Sequence, residues 1–143
     1  MSQQANVPSR PRPRIDEESR PWWEALGRRE LYLQRCLECG ALRWYPRALC
    51  PECLCDRTQW VRASGRGKVY SLTTVHQNQT PGFAGATPYL LAYVELEEGV
   101  RILTNVVNCR PEEATIGASV EAVFQDIGNQ TGLLSFQPTR QQA

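Results

Sequence analysis

The chain has 143 residues, 41% hydrophobic and 22% charged, which suits one globular domain or one domain with a small module. That length excludes a (β/α)8 barrel and a two-domain dehydrogenase. The formal net charge is +1, and with Arg10, Arg12 and Arg14 in residues 1–14 set aside, the 16 basic residues fall to 13 against 15 acidic ones, a net of −2. That balance, with Lys68 as the sole lysine, argues against broad phosphate neutralisation of nucleic acid.

Residues 1–18 are rich in Arg, Pro and polar groups and contain no apolar stretch of the kind a secretory signal needs. They read as a disordered basic tail, and residues 139–143 as a second disordered tail. The longest apolar run, Tyr89–Val94, is far too short to cross a membrane, so a cytoplasmic location with no membrane partner is expected. In a reducing compartment, six cysteines fit metal binding better than three disulfides.

Residues 19–34 read as an N-terminal helical segment. Asp16 or Ser19 is placed to cap it, Pro21 suits a first turn, and Trp22, Trp23, Leu26, Leu31 and Leu33 supply apolar contacts. Gly27 interrupts the pattern, so one helix is predicted to end near Arg28–Glu30. Of the adjacent tryptophans, either one packs on the module that follows, or both form an aromatic surface for a partner protein. Residues 35–62 are cysteine-rich, are broken by Pro46 and Pro51, and read as a small metal ribbon.

Residues 63–138 carry five candidate strands: Val69–His76, Tyr89–Leu96, Arg101–Val107, Ser119–Phe124 and Leu133–Phe136. Glu97-Glu98-Gly99 predicts a tight hairpin loop, and Thr80–Thr87 a longer, mobile, glycine-rich one. Five strands at this size predict a small closed barrel, because closure removes exposed edges. The fold class is therefore mainly β, with a helix, a ribbon and a barrel in that order.

Cys36-Leu-Glu-Cys39-Gly and Cys50-Pro-Glu-Cys53 form two C-x-x-C knuckles separated by ten residues. Each knuckle brings two thiolates to one metal, and Gly40 permits a positive φ after the second cysteine. Four thiolates make a closed tetrahedral site with no open position, so the metal is structural. Zn²⁺ is the default, and iron shares the ligand set. Cys55 stands two residues past the second knuckle as an alternative to Cys53. Cys109 reads as a small buried hydrophobe, and nothing in the sequence places it beside His76. His76 is expected at a strand end or against something bound at the Thr80–Thr87 loop. Gly65-Arg66-Gly67-Lys68 lacks the spacing of a phosphate loop and suits a strand-initiating turn. Glu97-Glu98 and Glu112-Glu113 fall in turns. No catalytic residue emerges.

The chain resembles a bacterial and archaeal family with a rubredoxin-like zinc ribbon followed by an acyl-CoA-associated OB-fold domain. The resemblance rests on Pro21-Trp22-Trp23-Glu24-Ala25-Leu26, Leu33–Gly40, Tyr45-Pro46-Arg47, Cys50-Pro51-Glu52-Cys53, Ser64–Ser71 and Val94–Arg101. Leu54-Cys55 departs from the family's frequent Gly-Ser. The resemblance implies a non-catalytic accessory subunit of an acyl-CoA-processing complex. The implied partner is a thiolase-like aldolase of the lipid-transfer-protein type, acting on a steroid side-chain or other bulky β-hydroxyacyl-CoA, in a heterotetramer. A bridge between acetoacetyl-CoA thiolase and hydroxymethylglutaryl-CoA synthase, or a partner of an enoyl-CoA hydratase, is the alternative. A single-stranded nucleic-acid-binding OB-fold is an alternative of another class. Trp22, Trp23, His76, Pro81, Gly82, Phe83 and Gly85 are the implied contacts with partner or acyl-CoA.

Overall fold

A computed structural model describes residues 9–140. Of the tails expected at 1–18 and 139–143, residues 1–8 and 141–143 lie outside the described residues. Helix α1 spans Arg20–Gly27. Asp16 and Ser19 form a reciprocal pair at its start: the Asp16 carboxylate accepts from the Ser19 backbone N–H at 2.9 Å and from its hydroxyl at 2.7 Å. Trp22, Ala25 and Leu26 fall at i, i+3 and i+4 and are its buried face. The helix closes with Arg29 in the left-handed region, φ 61°.

Strand β1 (Tyr32–Cys36) follows at once and pairs with β2 (Leu42–Arg43) and β3 (Thr58–Arg62) in an antiparallel sheet of order β2-β1-β3. Residues 32–34, expected in the helical segment, are therefore strand. Their spacing gives the reason: Leu31 and Leu33 are both buried at an interval of two, and β1 finds its partner β3 more than twenty residues later.

The barrel consists of β4 (Arg66–Val75), β5 (Tyr89–Leu96), β6 (Arg101–Val106), β7 (Ser119–Gly128) and β8 (Thr131–Pro138). It closes in the order β4-β5-β6-β8-β7, with β7 pairing back to β4. All pairs are antiparallel except β6 with β8, which meet in parallel at Val106 and Phe136. A register shift between Val69 and Ser71 bends β4 around the barrel. All five predicted strands are present. The hairpin at Glu97–Gly99 closes with Gly99 donating its N–H to Leu96 at 2.8 Å.

One continuous cluster of buried side chains links the three parts. It runs from Trp22 and Leu26 on the helix, through Leu31 and Leu33 on the ribbon, to Val69, Val94, Ile102 and Phe136 in the barrel. The helix lies on β8 so closely that a Cβ at Gly132 would sit 2.7 Å from the Leu26 carbonyl carbon and oxygen. Parts of the expected tails are also tied down. Thr139 N–H bonds to the Ser119 carbonyl at 2.9 Å, and Arg10 reaches the Thr80–Thr87 loop.

Candidate metal centre and partner surfaces

The two knuckles repeat one backbone design. In the first, Gly40 N–H donates to the Cys36 carbonyl at 3.0 Å and Cys36 N–H to the Ala41 carbonyl at 2.9 Å. In the second, Leu54 N–H donates to Cys50 at 2.8 Å and Cys50 N–H to Cys55 at 2.9 Å. The turn needs a left-handed residue in each: Gly40 has φ 74° and Leu54 has φ 65°. Cys55 thus occupies the place of Ala41, and its sulfur turns aside to accept the Arg57 N–H at 3.3 Å.

The sulfurs of Cys36, Cys39, Cys50 and Cys53 lie within 4.8 Å of one another. Cys36 Sγ is 3.5 Å from Cys53 Sγ, and Cys39 Sγ is 3.7 Å from Cys50 Sγ. Ligands about 2.3 Å from a tetrahedral zinc stand about 3.8 Å apart, so the donor set fits such an ion. Cys36 and Cys50 are buried, and Cys39 and Cys53 are exposed. The backbone N–H of Cys39, helped by that of Glu38, lowers the Cys36 thiol to about 6. Cys50 is lowered in the same way by the N–H groups of Cys53 and Glu52. The Cys55 N–H pulls Cys53 down, but local desolvation and the neighbouring thiols push it up to about 12. The Ala41 N–H pulls Cys39 down, but local desolvation and the Cys50 and Cys36 thiols raise it on balance. Four thiols crowded this closely cannot all ionise without a cation between them.

The remaining predicted contacts are scattered. Trp22 is 3% exposed and packs against Trp44 of the ribbon, ring centroids 6.0 Å apart and planes tilted by 55°, so its place is the core. Trp23 is half-buried at a cleft of about 290 Å³ that it shares with Trp44, Tyr45, Leu91, Leu103 and Leu134. Sequence spacing hid this cleft, because its aromatic walls come from the helix and the ribbon. Beyond it, the outer face of β4–β6 exposes Tyr70, Tyr93 and Leu103, at 49%, 43% and 43%. Tyr93 and Leu103 are cross-strand partners, and the Arg101 guanidinium lies 3.7 Å over the Tyr70 ring. The outward alternation of Leu91 and Tyr93 along β5 was the available signal.

His76 is exposed just past β4, and Pro81, Gly82, Phe83 and Gly85 lie in the turns between β4 and β5. Phe83 packs at 6.2 Å from Tyr89. Cys109 is half-buried, and burial and Glu113 hold its thiol above the ordinary range, the reverse of an activated nucleophile. Arg66 pairs with Glu97 at 3.0 Å, and Glu113 caps the turn at Pro111–Glu113 by accepting the Arg110 N–H. These charged groups are therefore in structural use.

Residues 23–59 match the family described as ChsH2, rubredoxin-like zinc ribbon domain, and residues 60–125 match ChsH2, C-terminal OB-fold domain. A solved Ltp2-ChsH2(DUF35) aldolase contains a chain 37% identical, with a TM-score of 0.78 over 89% of this chain and 98% of that one. A DUF35 domain-containing scaffold protein of Methanocaldococcus jannaschii is 40% identical over 76% of this chain and 77% of its own length. A probable enoyl-CoA hydratase alpha subunit of Thermomonospora curvata is 38% identical over 90% of this chain, but the chain spans only 40% of that protein. A DUF35 protein from Sulfolobus solfataricus, 14% identical with a TM-score of 0.61, shares the fold. The protein belongs to the ChsH2 (DUF35) family, in which a rubredoxin-like zinc ribbon precedes an OB-fold domain.

Proposed function

We propose that the protein is a non-catalytic accessory subunit that binds and stabilises a thiolase-like aldolase. The complex would cleave a steroid side-chain or other bulky β-hydroxyacyl-CoA, in the cytoplasm and as a heterotetramer. The observation that carries this reading is the likeness to a chain of the Ltp2-ChsH2(DUF35) aldolase along nearly that chain's whole length. One feature of the chain supports it. The exposed Tyr70, Tyr93 and Leu103 and the cleft beside Trp23 form an apolar surface of the kind a partner covers.

In this reading Cys36, Cys39, Cys50 and Cys53 hold one Zn²⁺ as a structural staple, and Trp23 and the Pro81–Gly85 loop contribute to partner or acyl-CoA contacts. Among the described residues no helix is long and apolar enough to cross a membrane. A second reading, as a scaffold or hydratase partner, draws on the DUF35 scaffold proteins and on a 3-oxo-4,17-pregnadiene-20-carboxyl-CoA hydratase alpha subunit of Mycobacterium tuberculosis, 34% identical, of which the chain spans 36%.

Co-expression with candidate partners decides between them. The chain should co-elute with a thiolase-like protein, and the pair should release a shortened acyl-CoA from a β-hydroxyacyl-CoA. Co-elution only with a hydratase-like protein, with hydration of an enoyl-CoA, would favour the second reading. Metal analysis should return one zinc per chain and a colourless protein; a visible absorbance band would assign iron.

A further inference from the structure

The segment Ser9-Arg10-Pro11-Arg12-Pro13 is the first described stretch of the chain, and it does not run free. The Arg10 guanidinium lies 4.8 Å over the Phe83 ring, and its Nε–H donates to the Gly82 carbonyl at 3.4 Å. At Gly82, with φ 92°, a Cβ would lie 2.5 Å from the Arg10 nitrogen and 2.7 Å from the Ser9 carbonyl carbon. Two backbones therefore touch where only glycine leaves room. Arg10–Pro13 also wall a groove of about 480 Å³ against Gln125, Ile127 and Leu133 of the β7–β8 hairpin.

The loop end of this contact is anchored in the barrel. Phe83 packs on Tyr89, the first residue of β5, whose hydroxyl accepts from Asn78 at 3.0 Å. The other end leads into the Asp16–Ser19 pair and the helix. Pro11 and Pro13 fix their own φ and hold Arg10 and Arg12 extended, so little chain entropy is lost when the segment lies down.

We infer that residues 9–13 are a strap that latches the glycine-rich Thr80–Thr87 loop closed and covers its Gly82 face until the strap lifts. The contact bridges the two ends of a chain segment more than 70 residues long. It is a device of the chain itself and operates whichever partner binds. Cation–π contacts at exposed sites are weak, so the latch is reversible.

Hydrogen exchange on the full chain tests it. The reporters are the amides of Phe83 and Ala86, which bond to the Thr80 and Phe83 carbonyls. Arg10→Ala should speed their exchange about 2- to 5-fold, the weight of one exposed cation–π contact. Deletion of residues 1–13 should speed it further. The amides of β5 should exchange as in the parent, which certifies the fold. Arg14→Ala removes the same charge beside Asp16 and should leave the loop unchanged. Unaltered exchange at Phe83 and Ala86 in both Arg10→Ala and the deletion would overturn the strap, as would an equal effect of Arg14→Ala.

Discussion

The matched knuckles make Leu54 a position where the sequence works against its own backbone. Leu54 takes φ 65° in the place that Gly40 takes at φ 74°. A side chain in the left-handed region costs about 1–2 kcal/mol. The Leu54 side chain is 72% exposed, so little burial offsets that cost. Leu54→Gly removes the strain but gives the unfolded chain about 0.4–1 kcal/mol more conformational freedom to lose. The net expectation is a stabilisation of about 0.5–1 kcal/mol, or a rise in Tm of about 1–4 °C for a chain of this size. Gly40→Ala is the mirror experiment. A Cβ there meets no atom within 4 Å, so its cost is the backbone conformation alone, and the variant should lose about as much as Leu54→Gly gains. Both are read by calorimetry of the metal-loaded protein, with chelator-driven metal release as a second measure. If Leu54→Gly melts at or below the parent while Gly40→Ala is neutral, the backbone equivalence of the two knuckles is refuted.

Three further outcomes are expected. Cys36→Ser or Cys50→Ser removes a buried donor and should reduce bound metal from one equivalent to near zero and unfold the ribbon; normal metal content by elemental analysis would refute the assignment. Gly132→Ala places a methyl against the Leu26 carbonyl and should cost about 1–3 kcal/mol by displacing the helix, read from the denaturant midpoint; an unchanged midpoint would show that helix and barrel are not in such close contact. The Ser19 hydroxyl and backbone N–H hold Asp16 below its ordinary value of 3.8. Because the folded-state value is the depressed one, the stabilisation is present above 3.8 and is lost as pH falls through the folded value. The stability gap between the parent and Asp16→Asn should therefore close as the pH is lowered through that window, and a gap independent of pH would contradict it.

The four-cysteine cluster was legible because its signal is local. C-x-x-C spacing and Gly40 dictate a knuckle without reference to the rest of the chain. The five barrel strands were legible for the same reason, since period-2 alternation and turn residues are written in short windows. What tertiary structure decided is everything that depends on distant pairing. Residues 32–34 became strand because β3 offered an edge, not because of their own propensity. C-x-x-C spacing already favoured Cys53 over Cys55, and the tertiary structure added where Cys55 goes: its carbonyl closes the second knuckle and its sulfur turns to the Arg57 N–H. Of the two adjacent tryptophans, the one that found Trp44 across the helix–ribbon contact became core, and its neighbour was left at the cleft. The basic stretch at 9–13 looked unfit for burial, yet it lies on the loop because Gly82 lets two backbones meet. Short-range spacing fixes which elements and ligand sets can form, whereas contacts between segments far apart in sequence select which side chain is buried and which is left for a partner.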